Sequence, residues 1–131
     1  MVPLNQIDLL NLENALEALK RALKKDPPNE FEKDSVIKRF EFTFELSWKM
    51  MRKFLQAFGK AEVSGSPKPI LRDALEEHLI NDLDKWFDFL DARNTSTHIY
   101  NEQEADKIYR VAKNFPPYVD NLIKELHKRK T

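Results

Sequence analysis

The chain has 131 residues, 22 Lys plus Arg against 22 Asp plus Glu, and therefore a formal net charge of zero, which excludes a global field for nucleic acid and leaves any RNA contact to a local patch. The absence of cysteine excludes a disulfide framework and a thiolate metal centre and fits a cytoplasmic protein, while His78, His98 and His127 stand too far apart for a H-x-x-x-H metal spacing. Charged residues make up 34% of the chain, glycines number two, and no apolar run nears the roughly 20 residues of a membrane span or looks like a signal peptide, so the expectation is one all-α domain over residues 1–131.

In chain order, Leu9, Leu12, Leu16, Leu19 and Leu23 repeat at three- and four-residue steps and predict a first helix from about Asn5 to Lys25. Asp26-Pro27-Pro28-Asn29 ends it, because a proline pair cannot continue the hydrogen-bond ladder. A long second helix is predicted from about Glu32 to Phe58. Ile37, Phe40, Phe44, Trp48, Met51, Leu55 and Phe58 line one broad face, and Phe42, Leu46 and Met50 lie roughly opposite. A helix apolar on two sides is either central in its own domain or buried against another chain; the second stripe is read as a subunit interface. Glu41 and Glu45, one turn apart near Lys38 and Arg52, are either ordinary surface pairs or contributors to a site if this helix lines a dimer axis.

Gly59 is placed to stop the second helix, and residues 60–68 read as a polar loop. A short third helix is predicted from Pro69 to Leu79, with Ser66 as N-cap and His78 as a cation at the dipole's negative end. A fourth, starting near Asn81-Asp82, carries Leu83, Trp86, Phe87, Phe89 and Leu90 up to Arg93; its last turn delivers Arg93 and Asn94, and a loop is expected from Thr95 to Tyr100. Asn101-x-x-Glu104 is a capping-box signature for the next helix, whose stripe is Ala105, Ile108, Val111, Ala112 and Phe115. Pro116-Pro117 interrupts it, and Tyr118 to Lys130 completes the chain with a basic end expected to fray. The architecture predicted is an up-and-down bundle of four to five helices.

Between two strongly helical segments lies Arg93-Asn94-Thr95-Ser96-Thr97-His98-Ile99-Tyr100. Arg93 is a fixed cation with a planar fork of donors suited to phosphate, and His98 is a side chain able to move protons near neutral pH. Asn94 and Ser96 support them. One Arg and one His cannot build a nucleophilic triad, but they can serve phosphodiester cleavage of RNA. The His can take the proton of a 2′-hydroxyl or give one to the leaving oxygen, while the Arg neutralises the phosphorane-like transition state. A two-fold dimer would double both groups.

Arg93-x4-His98 resembles the R-x4-6-H motif of HEPN domains, and its longer form with Tyr100 is similar to the R-x4-H-x-Y motif of the toxin subunit in MNT–HEPN toxin–antitoxin pairs. Arg39-Phe40-Glu41-Phe42-Thr43-Phe44-Glu45-Leu46-Ser47-Trp48-Lys49 is similar to the signature of the nucleotidyltransferase substrate-binding protein family, a branch of the same superfamily. The resemblance implies a helical bundle forming a homodimer, or a heterotetramer with a minimal nucleotidyltransferase partner, with RNA or a nucleotide as substrate or ligand and no cofactor or metal. It implies metal-independent ribonuclease chemistry at Arg93 and His98 and silencing of the toxin by nucleotidylation of Tyr100. The alternative it carries is a non-catalytic subunit that binds substrate for the partner.

Overall fold

The computed structural model describes residues 3–60 and 64–130. A 3-10 turn (Leu4–Gln6) precedes six α-helices: α1 (Leu10–Leu23), α2 (Glu30–Ala57), α3 (Pro67–Glu76), α4 (Leu83–Ser96), α5 (Glu102–Lys113) and α6 (Pro116–Lys130). The all-α expectation holds. Five longer helices make the bundle, and the ten-residue α3 packs on α2 and α4. Residues 61–63 of the expected 60–68 loop lie outside the described residues.

Helix boundaries follow from local capping. The first helix starts at Leu10, later than expected, because Asp8 Oδ1 accepts the Leu10 amide (2.8 Å) after the 3-10 turn. In α2 the Asn29 side chain accepts from the Glu32 amide (2.8 Å) and Glu32 accepts from the Asn29 amide (2.9 Å). This reciprocal box starts the helix two residues before the expected Glu32. Gly59, at φ 85°, ends it as read from the sequence. Its amide bonds Gln56 O (3.0 Å) and the Lys60 amide bonds Leu55 O (3.4 Å), the paired bonds of a Schellman stop.

The same device ends α3, with a different residue. His78 adopts φ 62°, its amide bonds Leu75 O (3.0 Å), and the Leu79 amide bonds Ala74 O (2.8 Å). His78 thus stands beyond the helix as a left-handed stop, where its expected part was a cation facing the dipole. Ser66 occupies the N-cap position in extended backbone, yet its side chain makes no cap bond and pairs with Ser64 instead (3.1 Å). Pro67 at the first helical position supplies the start. The basic C-terminus does not fray at Arg129, whose Nη2 donates to Glu77 O (2.9 Å) behind α3.

The core is one contiguous apolar cluster. At its centre Phe115, from the α5–α6 connection, meets Phe89 (4.7 Å between centroids), Phe40 (5.1 Å), Trp86 (5.5 Å) and Phe44 (6.1 Å). Each fully buried ring is worth about 1.5–3 kcal/mol by area, and each ring pair adds about 0.5–1.5 kcal/mol. This cluster fixes α4 against α2 and so decides what faces the end of α4.

α2 packs against all five other α-helices and is central in its own bundle. Its second apolar stripe is therefore only partly free, a correction to its reading as one interface. Met50 is buried within the chain and Leu46 half-buried, while Phe42 is 59% exposed. The difference is one of face: Met50 lines a hollow with the N-terminal segment around Ile7, whereas Phe42 turns away from α1, which its neighbours Arg39 and Thr43 meet at Ala18 O and Ala15 O.

Candidate functional site

Arg93 and Asn94 lie in the last turn of α4, as expected, and the helix continues through Thr95 and Ser96, which read as loop. Thr97 is the C-cap. The polar run hides this helical turn because Ser, Thr and Asn are weak helix formers. Here their hydroxyls bond back to the helix: Thr95 Oγ1 to Asp91 O (3.0 Å) and Ala92 O (3.2 Å), and Thr97 Oγ1 to Asn94 O (3.1 Å).

Two carboxylates of α2 receive that turn. Arg93 Nη2 lies 2.5 Å from Glu45 Oε1 in an ion pair whose side chains are 33% and 26% exposed. Glu45 Oε2 accepts from Trp48 Nε1 (3.2 Å) and faces Lys49 Nζ at 3.6 Å. One turn earlier on α2, Glu41 Oε2 accepts from Ser96 Oγ (2.8 Å), which also lies 2.7 Å from Arg93 O, so one hydroxyl proton serves both acceptors. Glu41 and Glu45 thus reach the motif from within one chain. They do not serve as partners for Arg52, which donates to Ser64 O (2.9 Å). Arg93 Nε is buried with no hydrogen-bond partner among the described residues.

His98 lies on the other flank. Continued through Thr97, a five-residue step turns the side chain by about 140° around the helix axis. Exposed His98 lines a cleft of about 350 Å³ between the end of α4 and α5, with Asn94, Thr95, Ile99, Glu104, Lys107 and Ile108. Arg93 is not part of this lining, so the chain presents Arg93 toward α2 and His98 toward α5. Tyr100 follows at 81% exposed, its amide donating to Glu104 Oε2 (2.8 Å). Asn101 Oδ1 accepts from the Glu104 amide (2.9 Å), so the expected cap forms, with Glu104 returning its bond to Tyr100 instead of Asn101. This bond holds the backbone of Tyr100 while its phenol stands in solvent.

Among nearby cations, Lys107 lines the His98 cleft, whereas Lys85 lies about 12 Å back along α4 and lines a separate hollow. The residue that sequence reasoning misses is Trp48. Periodicity places it only in the core, although its i, i+3 relation to Glu45 is a usable signal. Among the described residues no group of three His, Asp or Glu is placed to hold a metal, and no helix is long and apolar enough to cross a membrane.

The sequence matches, over residues 7–128, the family described as nucleotidyltransferase substrate binding protein like. It is 36% identical over 96 residues to a Haemophilus influenzae protein named probable ribonuclease HepT, a match covering 71% of this chain and 66% of that protein. A crystal structure from Thermus thermophilus superposes with TM-score 0.81 at 31% identity, covering 88% of this chain and 98% of the other. A Haemophilus influenzae structure, described as revealing the fold of a substrate binding domain of a nucleotidyltransferase, superposes with TM-score 0.78 at 30% identity, covering 92% and 99%.

Proposed function

The chain belongs to the nucleotidyltransferase substrate binding protein like family, and on that premise we propose that it is the HEPN-type subunit of a two-component cytoplasmic system. Its partner is a minimal nucleotidyltransferase, and the chain itself, one domain over residues 1–131, is a metal-independent ribonuclease toxin silenced by nucleotidylation of Tyr100. The observation that carries this reading is the rigid seating of R-x4-H-x-Y: Arg93 is braced from α2, while His98 and Tyr100 stand exposed on the same helix end.

In the reaction, a ribose 2′-oxygen attacks the adjacent phosphorus as His98 takes the 2′-hydroxyl proton. The bond from phosphorus to the 5′-oxygen breaks, leaving a 2′,3′-cyclic phosphate. The departing oxygen receives a proton to become a 5′-hydroxyl. A second copy of the chain, docked through Phe42 and half-buried Leu46, supplies the imidazolium that donates it. Arg93 offers charge to the equatorial oxygens. Nucleotidylation of the Tyr100 phenol, two residues from His98, places a bulky anion where the RNA phosphate must lie and blocks it by charge and volume.

The test is RNA cleavage by purified protein in EDTA: the wild type cuts and His98→Ala does not. Equal activity of the two would remove the catalytic assignment. Intact mass after co-expression with the partner should show added nucleotide-monophosphate units that vanish in Tyr100→Phe. A second reading, a non-catalytic subunit that binds substrate for the nucleotidyltransferase, is favoured by one observation. Arg93 is already neutralised by Glu45 and stands apart from the His98 cleft. It requires an RNA-inert chain and partner-dependent nucleotidyl transfer to another molecule.

A further inference from the structure

Glu45 is fully engaged. One oxygen meets Arg93 Nη2 at 2.5 Å; the other accepts the Trp48 indole N–H at 3.2 Å and faces Lys49 at 3.6 Å. Trp48 is itself buried in the core, so Glu45 is held from the interior of the bundle. Arg93 in turn has little freedom left. Its Nε is enclosed and its Nη2 is taken, which leaves Nη1, without a hydrogen bond among the described residues, as the end of the guanidinium left for a ligand. Glu41 adds a second tie one turn away through Ser96.

A long, flexible cation aimed by a fixed carboxylate is an arrangement that lowers reorganisation when charge develops on a phosphate. It also has a cost. The Glu45 anion lies directly behind the guanidinium and repels the same phosphate. A tie that merely held α4 to α2 would need neither the indole donor nor the free Nη1 edge.

We propose that Glu45, held by the Trp48 indole N–H, is a positioning residue that aims Arg93 Nη1 at the scissile phosphate of single-stranded RNA, at the expense of RNA affinity. The proposal rests on the ribonuclease reading above. It assigns opposite signs to two measurable quantities. Removing the charge with Glu45→Gln loosens the guanidinium and lowers kcat by about 10–100-fold, the range expected for a displacement near 1 Å. The same change removes a repulsion acting over roughly 5 Å, so RNA binds about four-fold tighter at low salt with a water-like dielectric, and less so as salt rises. Trp48→Phe keeps the ring and the Glu45 charge but deletes the donor. It lowers kcat several-fold and leaves RNA affinity unchanged.

The experiment measures kcat and KM on a single-stranded RNA oligonucleotide, with binding read by fluorescence anisotropy in a His98→Ala background so that the RNA stays intact. Glu45→Gln is also made in an Arg93→Ala background, where a residue that acts through Arg93 has nothing further to remove from kcat. Lower kcat with tighter binding, and no added loss without Arg93, is the expected result. An unchanged kcat in Glu45→Gln overturns the proposal and leaves the ribonuclease reading intact. So does a loss that adds to that of Arg93→Ala and follows a fall in melting temperature, which marks a plain structural tie. A wild-type chain that cuts no RNA fails the reading itself, and the proposal falls with it.

Discussion

His78 and Gly59 occupy the same place in two helix stops, and exchanging their chemistry tests how those stops work. Both residues follow the last turn of a helix with positive φ, 62° for His78 and 85° for Gly59, and both carry the two crossed amide bonds of the motif. A residue with a Cβ pays about 1–2 kcal/mol in this region, while glycine there costs about 0.5–1 kcal/mol in chain entropy, so His78→Gly should stabilise by roughly 0.5–1 kcal/mol. The His78 side chain is exposed and makes no hydrogen bond or ion pair among the described residues, so little else is lost. For a domain of this size that corresponds to a melting temperature about 2–5 °C higher. A Cβ added at Gly59 would meet nothing within 4 Å, which makes Gly59→Ala a purely backbone change and an equal loss. Thermal unfolding by circular dichroism in high salt, which screens any interaction of the imidazole with the helix dipole, compares all three proteins. A neutral or destabilising His78→Gly, or a harmless Gly59→Ala, would show that the left-handed backbone does not govern the stability of these stops.

Phe115→Ala removes the ring on which four other aromatic residues converge and should cost about 3–5 kcal/mol, a large part of the roughly 5–15 kcal/mol available to a domain. A urea midpoint close to wild type would contradict the central place given to that ring. Lys33 is held above its ordinary 10.5 chiefly by its hydrogen bond to Asp106, against desolvation and with help from the charges of Asp106, Glu102 and Asp34. Because the folded state favours the protonated amine, this stability is complete below 10.5 and is lost as pH rises through the raised folded value. Asp106→Asn should therefore lower the urea midpoint at neutral pH and flatten its fall at high pH; an unaltered alkaline slope would count against the pair. The proposed docking of a second copy through Phe42 predicts a wild-type dimer in sedimentation velocity that Phe42→Lys turns into monomers without changing the helical spectrum; a monomeric wild type, or a dimer that survives the change, would count against that interface.

Helical content and the buried stripes are legible in the chain because each is a local periodic pattern. Leu9, Leu12, Leu16 and Leu19 are buried as their spacing requires, and so are Ile37, Phe40, Phe44, Met51 and Leu55. Gly59 and Asn101 mark their helix boundaries through chemistry that acts within a few residues. Local signals mislead where two conformations share one composition. Ser and Thr after Arg93 read as loop, yet α4 keeps them by bonding their hydroxyls to its own carbonyls. His78 reads as a cap by charge, and its backbone supplies the stop.

The chain alone determined the motif Arg93, His98 and Tyr100, since their order and spacing are written in eight consecutive residues. Only the tertiary structure decided what each faces. The ion pair from Glu45 to Arg93 and the bond from Ser96 to Glu41 join residues about fifty positions apart, and they exist because the rings around Phe115 press α4 against α2 in one register. Periodicity says which side of a helix is apolar. Which polar residues end up at its margins, and opposite whom, is set by how two helices pack.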